Sequence, residues 1–264
     1  MKNKKIKIAL SGSTGKMGHV ILKEIKQIYN VELSILLVRK KNNKEKNVSN
    51  NETKNKSILT CTSLKNTYKN FDIMIDFSEA KNTIKNVKYC VKHKKNIIIG
   101  TTGFSDSEES FIKKSAKKIC IVKSANFSHG INIIYLILEN IINKIKLKKI
   151  KIIDKHHKHK QDSPSGTAIE IGRIINKKFG KYNTKREVLN NKNINFISKR
   201  KGEVIGNHTI LFSNKNEILK ITHKAKNRSI FAKGAIQSAI WSFKKIKGLF
   251  SMKNVVNKNE DILW

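Results

Sequence analysis

Lys5-Ile6-Lys7-Ile8-Ala9-Leu10-Ser11, followed at once by Gly12-Ser13-Thr14-Gly15-Lys16-Met17-Gly18, is the stretch on which the fold turns. A β-type run over 5–11 is broken by glycines and passes into an apolar helical pattern through Val20, Ile21, Ile25 and Ile28. Strand, glycine turn and helix with the spacing G-x-x-G-x-x-G form a dinucleotide fingerprint. The glycines permit the tight turn and let the backbone approach a pyrophosphate at the helix start. Gly12, Gly15 and Gly18, with Lys16 in the loop, are therefore the candidate cofactor cradle. A glycine-rich helix start that holds no nucleotide is the alternative, and the flanking sequence bears on the choice.

Residues 31–38 form a near-continuous apolar run, as expected of a strand covered on both faces. From 39 to 57 the chain is Lys, Asn, Glu and Ser with almost nothing to bury, which reads as a mobile surface loop. Further strands are expected over 58–60, 72–77, 96–100 and 119–123, separated by helical patterns over 79–93 and 106–118. Alternating β and α at this rhythm gives a doubly wound parallel sheet. Asp76-Phe77-Ser78 and Gly100-Thr101-Thr102-Gly103-Phe104 fall at the C-terminal ends of strands, where open α/β sheets bind ligands. Phe77, Ser78, Gly100, Thr101 and Thr102 join the cofactor candidates on that ground. An acidic residue at the end of the second strand would accept from a ribose 2′-hydroxyl and favour NADH. This chain instead has Val38 then Arg39, with Lys16 in the glycine loop, so a 2′-phosphate meets cations and NADPH is expected over NADH. The alternative makes Lys16 and Arg39 two more surface cations.

The pattern changes after Asn126-Phe127-Ser128. A long helix over 130–145 leads to a strand over 150–156, a helix beginning near Pro164, and alternating runs over 194–199, 204–212 and 217–225. Strands grouped in this way after a βα half indicate a second, mixed α+β domain. A final helical pattern over 230–246 and the tail return to the first domain. The expected bounds are 1–128 plus 238–264 for the dinucleotide-binding domain and 129–237 for the other.

The densest chemistry lies in the second domain. His156-His157-Lys158-His159-Lys160 is followed after two residues by Ser163-Pro164-Ser165-Gly166-Thr167-Ala168. Ser163 or Ser165 can cap a helix, and Pro164 suits a first turn, where its missing donor is not needed. The N–H groups of Ser165, Gly166 and Thr167 would then face outward, where a carboxylate fits. His156 can give a proton near neutral pH and Lys160 supplies a fixed positive charge, with His159 the alternative donor. Residues four apart on an extended strand sit roughly 13 Å from each other. The chain must therefore turn after His157 if both side chains are to reach one small dianion. No metal is expected, because His156 and His159 have only Asp154 and Asp162 as nearby carboxylates and no cysteine. His208 and His223, on alternating strands, read as structural.

Composition bounds the remaining classes. At 264 residues there is room for one large or two modest domains. The formal charge of +37 is spread along the whole chain, and Tyr29, Phe71, Tyr89 and Tyr182 are not spaced as a stacking platform. Weak, salt-sensitive adhesion to RNA is expected, and no specific nucleic-acid partner. Lys, Asn and Ile crowd the polar and aliphatic positions, a drift toward AT-rich codons, so the residues that resist it are informative. The single proline is Pro164, and seven of the 13 glycines (Gly12, Gly15, Gly18, Gly100, Gly103, Gly130, Gly166) fall in the segments above. Cys61, Cys90 and Cys120 show neither a zinc nor a disulfide pattern, which fits a reducing compartment. No apolar run reaches the ~18 residues of a spanning helix. A cytoplasmic protein without membrane contact is expected.

In order along the chain, Gly12 to Gly18, Asp76-Phe77-Ser78, Gly100 to Phe104, Ala125-Asn126-Phe127-Ser128 and His156 to Ala168 resemble the motifs of the 4-hydroxy-tetrahydrodipicolinate (dihydrodipicolinate) reductase family of diaminopimelate and lysine biosynthesis. The resemblance covers nearly the whole chain. It implies an α/β, Rossmann-like parallel-sheet domain and a mixed-sheet α+β domain that binds a small dicarboxylate substrate and assembles a homotetramer. The implied reaction is hydride transfer from NADPH or NADH. His156 would be the general acid and Lys160 its partner, with His157, Gly166 and Thr167 on the substrate carboxylates. Gly12, Lys16, Met17, Arg39, Gly100, Thr102, Asn126 and Phe127 would lie along the cofactor, with Phe77 and Ser78 on the same wall. One departure is the segment 186–199, shorter and richer in Asn than the family's Arg- and Gly-rich loop before Arg200-Lys201-Gly202-Glu203, which bears on loop closure and turnover. Another reductase of the same fold, a nucleic-acid binder and a drifted non-catalytic homologue are the alternatives.

Overall fold

The computed structural model describes residues 5–38, 58–65, 67–145, 149–177 and 185–257, the side chains of 185–187 excepted. The expected loop over 39–57, Arg39 included, lies outside the described residues. Two compact units emerge, Met1–Phe127 with Ser229–Trp264, and Ser128–Arg228.

The first unit follows the alternation read from the sequence. It runs β1 (Ile6–Ser11), α1 (Lys16–Ile25), β2 (Val31–Leu37), β3 (Leu59–Cys61), β4 (Ile73–Asp76), α2 (Ala80–Lys92), β5 (Asn96–Ile99), α3 (Asp106–Ser115) and β6 (Cys120–Lys123). After the second unit the chain returns with α7 and then β11, whose bounds are given below. The strands form one seven-stranded sheet in the order β11-β6-β5-β4-β1-β2-β3, every pair parallel. Ile8, Ala9, Leu10, Met74, Ile75, Ile97, Ile98 and Ile99 are fully buried, because helices cover both faces of such a sheet and alternation in the sequence disappears. The helix α3 starts on a reciprocal cap, Ser105 Oγ accepting from the Glu108 N–H and Glu108 Oε2 from the Ser105 N–H, with Asp106, Glu108 and Glu109 in its first turn.

The second unit contains α4 (His129–Ile141), β7 (Lys149–His156), α5 (Gly166–Asn176), α6 (Lys185–Asn190), β8 (Ile194–Arg200), β9 (Gly206–Ser213) and β10 (Ile218–Ala225). Its four strands lie in the order β10-β9-β7-β8, with β7 parallel to β8 and β9 antiparallel to both β7 and β10. Ile131, Leu138, Ile171, Ile174 and Ile175 of the helices pack on Ile150, Ile152, Ile210 and Phe212 of the sheet. Strand β7 alternates strictly: Lys149, Lys151 and Lys155 are exposed, while Ile150, Ile152, Asp154 and His156 are buried. That alternation sets a carboxylate and an imidazole in one row on the buried face.

The return to the first unit comes at Ser229, nine residues before the expected 238. The cause is α7 (Ser229–Phe243), which packs as one rod against α1, β4, β5 and β6. Its buried face is built of Ala232, Gly234, Ala235, Ser238 and Ala239, small enough for close approach, and a Cβ on Gly234 would collide with the Phe127 carbonyl. Ser128 goes with the second unit, where its Oγ accepts from the Ile131 N–H and caps α4. Three short elements were not legible from the sequence: α6, β11 (Gly248–Phe250), which pairs with β6, and α8 (Met252–Asn257).

Candidate active site

Strands β2 and β3 extend the sheet to one side of β1, and β4, β5, β6 and β11 extend it to the other, so the ends of β1 and β4 flank the switch point of the sheet. Ser11 stands opposite Asp76 in register, and the Phe77 N–H donates to the Ser11 carbonyl at 3.1 Å. Gly12, at φ +81°, turns the chain so tightly that a Cβ would strike the Phe77 carbonyl. Gly18 lies so close against the Gly12 carbonyl that a side chain there would separate helix from turn. The helix α1 is capped by Gly15, which has no side chain to accept from the first turn, and no acidic residue stands there. Its N–H end is left for an anion.

Beside this turn lies a cavity of about 1020 Å³, walled by Gly12, Gly15, Val38, Phe77 and Ser78 near the glycines and by Ser63, Lys65, Asn82, Lys85 and Lys92 farther out. Among the described residues that line it, none is acidic. Glycine turn, a helix start without a capping side chain, and cationic wall together fit a dinucleotide phosphate chain.

One carboxylate ties the surrounding loops together. Asp76, fully buried, accepts from the Ser78 N–H at 2.8 Å, Ser78 Oγ at 2.6 Å, Asn86 Nδ2 at 2.8 Å and Thr101 Oγ1 at 3.3 Å, and Asn86 also reaches Ser11 Oγ at 3.0 Å. Burial pushes the pKa of Asp76 up, and the Ser78 and Asn86 hydrogen bonds recover part of the shift. Thr101 thus spends its hydroxyl on Asp76, whereas Thr102 is exposed. The Phe77 ring fills the space over Gly100, where a Cβ would collide with it, and meets the Phe127 ring at 5.7 Å. Asn126 is held by its backbone, its carbonyl accepting from Ser124 Oγ at 2.8 Å. Lys16 and Met17 open α1, with Lys16 exposed.

In the second unit, His156 ends β7 and is buried. Its Nδ1 lies 3.0 Å from Asp154 Oδ2. Arg200, opposite His156 in the β7–β8 register, donates from Nη1 to the same Oδ2 at 2.9 Å, and Ser198 Oγ donates to Oδ1 at 2.6 Å. Burial alone would raise the pKa of Asp154. The hydrogen bonds from His156 and Ser198 and the Arg200 guanidinium outweigh it and hold the carboxyl well below the usual range. From β9, His208 sets its ring edge-on to His156, 5.1 Å between centroids, with Nε2 3.3 Å from Ser165 Oγ. Burial first, then the neighbouring His156, lowers the His208 pKa to about 3, so this imidazole is neutral at physiological pH. His208 therefore adjoins the candidate acid, a proximity its place on an alternating strand does not reveal.

The chain turns after His157, as the reach argument requires: the Lys160 N–H donates to the His157 carbonyl at 3.2 Å, and the Lys158 N–H to Gly202 at 3.2 Å. Lys160 Nζ lies 2.7 Å from Asp162 Oδ1, and the Asp162 carboxylate also accepts from the Gly166 N–H. Despite partial burial, the Lys160 ammonium and these donors keep the Asp162 pKa below the ordinary value. Ser165, not Ser163, caps α5, accepting from the Ala168 N–H at 3.2 Å. Pro164 therefore precedes the cap, joined to Ser163 by a cis peptide, rather than standing in the first turn. Gly166 is exposed at the helix start, and the Thr167 side chain is tied to Tyr135 of α4. The His157 and His159 rings stand 6.3 Å apart. Among the described residues no group of three or more His, Cys, Asp or Glu is placed to hold a metal.

Asp154, Ser198, Arg200 and Asp162 are the site residues that sequence reasoning missed. The Asp154 signal was present, since residues two apart on a strand share a face. The Ser198 and Arg200 contacts depend on the register between β7 and β8, which no local pattern carries.

A parallel sheet with a nucleotide cradle at its switch point, and a mixed-sheet unit carrying a histidine supported by a carboxylate, define an NAD(P)H-dependent reductase. Residues 6–127 match the dihydrodipicolinate reductase N-terminal family and residues 130–256 its C-terminal counterpart. The 4-hydroxy-tetrahydrodipicolinate reductase of Buchnera aphidicola subsp. Cinara cedri is 43% identical over 274 residues, covering 98% of this chain and 99% of that protein. The enzyme of the same name from Wigglesworthia glossinidia brevipalpis is 41% identical, covering 98% and 97%. A dipicolinate-bound dihydrodipicolinate reductase from Paenisporosarcina sp. TG-14 shares the fold, with a TM-score of 0.78 over 95% of this chain and 99% of that one at 23% identity. The chain belongs to the dihydrodipicolinate reductase family.

Proposed function

We propose that this chain reduces 4-hydroxy-tetrahydrodipicolinate to tetrahydrodipicolinate in diaminopimelate and lysine biosynthesis, using NADPH in preference to NADH. The observation that carries the reading is His156, bonded to a buried carboxylate and followed by a turn that sets Lys160 beside the start of α5. The reduced nicotinamide, when bound, supplies a hydride to the substrate ring. His156 donates the proton that quenches the resulting electron density, and the 4-hydroxyl group leaves as water, so that hydride, proton and departing water balance the conversion. Lys160, His157, Gly166 and Thr167 hold the substrate carboxylates, aided by the N–H end of α5. Asp162 already engages Lys160 and the Gly166 N–H, so a substrate carboxylate has to displace it or share those donors. Gly12, Gly15, Lys16, Met17, Gly18, Phe77, Ser78, Gly100, Thr101, Thr102, Asn126 and Phe127 bind the cofactor, Arg39 being the further candidate at the 2′-phosphate. Lys65, Lys85 and Lys92, in a wall that holds no carboxylate among the described residues, support the preference for NADPH.

The first unit is the dinucleotide-binding domain, and the second binds substrate and builds a homotetramer through the exposed face of its sheet. That face carries partly exposed Ile153, Ile197 and Leu211, an apolar stripe suited to a second copy. The enzyme works in the cytoplasm, in keeping with the absence of a membrane-length apolar helix among the described residues. In a coupled assay, NADPH oxidation is expected only when the condensation product of pyruvate and aspartate semialdehyde is supplied. Oxidation indifferent to that product would reject the substrate, and an equal or lower KM for NADH would reject the cofactor preference.

A further inference from the structure

We propose that Asp154 is the positioning residue for proton delivery: clamped by Arg200 and Ser198, it fixes the His156 ring with Nδ1 turned inward and Nε2 free to meet the substrate. The proposal rests on His156 as the acid. The Asp154 side chain is 1% exposed, and a carboxylate buried so deeply persists only when its oxygens are satisfied. Ser198 takes Oδ1, while Arg200 and His156 share Oδ2. An ionised carboxylate can only accept, so His156 Nδ1 must donate and its tautomer is set.

The other ring nitrogen faces Gly206 of β9, where a Cβ would stand 3.3 Å from Nε2. Glycine thus keeps a side chain of β9 from closing on that nitrogen. Arg200 extends the clamp, because its Nη2 donates to the Asp162 carbonyl at 2.6 Å, within the turn that presents Lys160. One guanidinium therefore joins the support of the acid to the segment expected to hold substrate. The charged or titratable groups around His156 are Asp154 on its own strand, Arg200 from β8, His208 from β9 with His223 beyond it on β10, and Lys160 from the turn. Among the described residues only Asp154 brings a negative charge into contact with the ring.

The test uses the full chain carrying Asp154→Asn, Asp154→Glu and Ser198→Ala, alone and with His156→Ala. Asp154→Asn should lower kcat roughly 10- to 100-fold and leave the KM for NADPH within about twofold. The pH profile of kcat/KM should also differ from the parent's, since the ring loses the carboxylate bonded to it. Asp154→Glu should recover part of the rate, and Ser198→Ala, which loosens the clamp without removing the charge, should cost less. In the His156→Ala background, Asp154→Asn should cost nothing further. If His156→Ala is inactive but Asp154→Asn keeps kcat within threefold with an unmoved pH profile, the positioning role is overturned and the acid assignment stands. Should His156→Ala itself retain activity, both fall. If Asp154→Asn does not fold, a Ser198→Ala enzyme with unchanged kcat and pH profile overturns the clamp.

Discussion

Two imidazoles in edge contact, His156 and His208, occupy different chemical worlds. His156 adjoins a carboxylate, whereas His208 is buried against Ser165 with its Nδ1 unpartnered. The unfolded His208 would take up a proton below about pH 6.5, while in the fold it does so only near 3. Between those values the unfolded state binds more protons, so stability falls as pH falls, by at most about 1.4 kcal/mol per pH unit from this group. His208→Gln, which cannot charge, should therefore flatten the loss of melting temperature between pH 7 and pH 5. An identical pH dependence in both proteins would show that His208 is not kept neutral. At this level His156, Lys160 and the α5 cap could be read from the chain, because they sit within a dozen residues. The partners of His156 could not, since Arg200 is 46 residues from Asp154 and reaches it only through strand pairing.

Among the elements, those with strong periodicity were the legible ones. The near-continuous run over 31–38 announced a strand covered on both faces, and the alternating runs over 194–199, 204–212 and 217–225 announced the strands of a second, mixed sheet, where the structure has β8, β9 and β10. The strand β11 spans three residues and gains definition only by pairing with β6, which no local pattern contains. The six-residue α6 fell within the segment expected to be an Asn-rich loop, its Val188 being fully buried. The helix α7 was recognised, yet its role was divided between domains at 238. Its small residues gain meaning only from the carbonyl and strands they touch.

For the molecule as a whole, a formal charge of +37 has consequences for assembly rather than for fold. Lys149, Lys151, Lys155, Lys199, Lys220 and Lys224 are all exposed on the face proposed to meet another copy. Their repulsion is screened beyond about 8 Å at physiological ionic strength, and far less in dilute buffer. Sedimentation should therefore show a tetramer near 150 mM salt that dissociates toward smaller species at about 10 mM. A mass independent of salt, or a monomer throughout, would contradict assembly through this face. The chemistry proposed for the reductase rests in the end on one proton donor. His156→Ala, assayed with NADPH and the condensation product, should lose roughly 10²-fold or more of its turnover while NADPH binds as tightly as before. Turnover within about threefold of the parent would show that the proton comes from elsewhere.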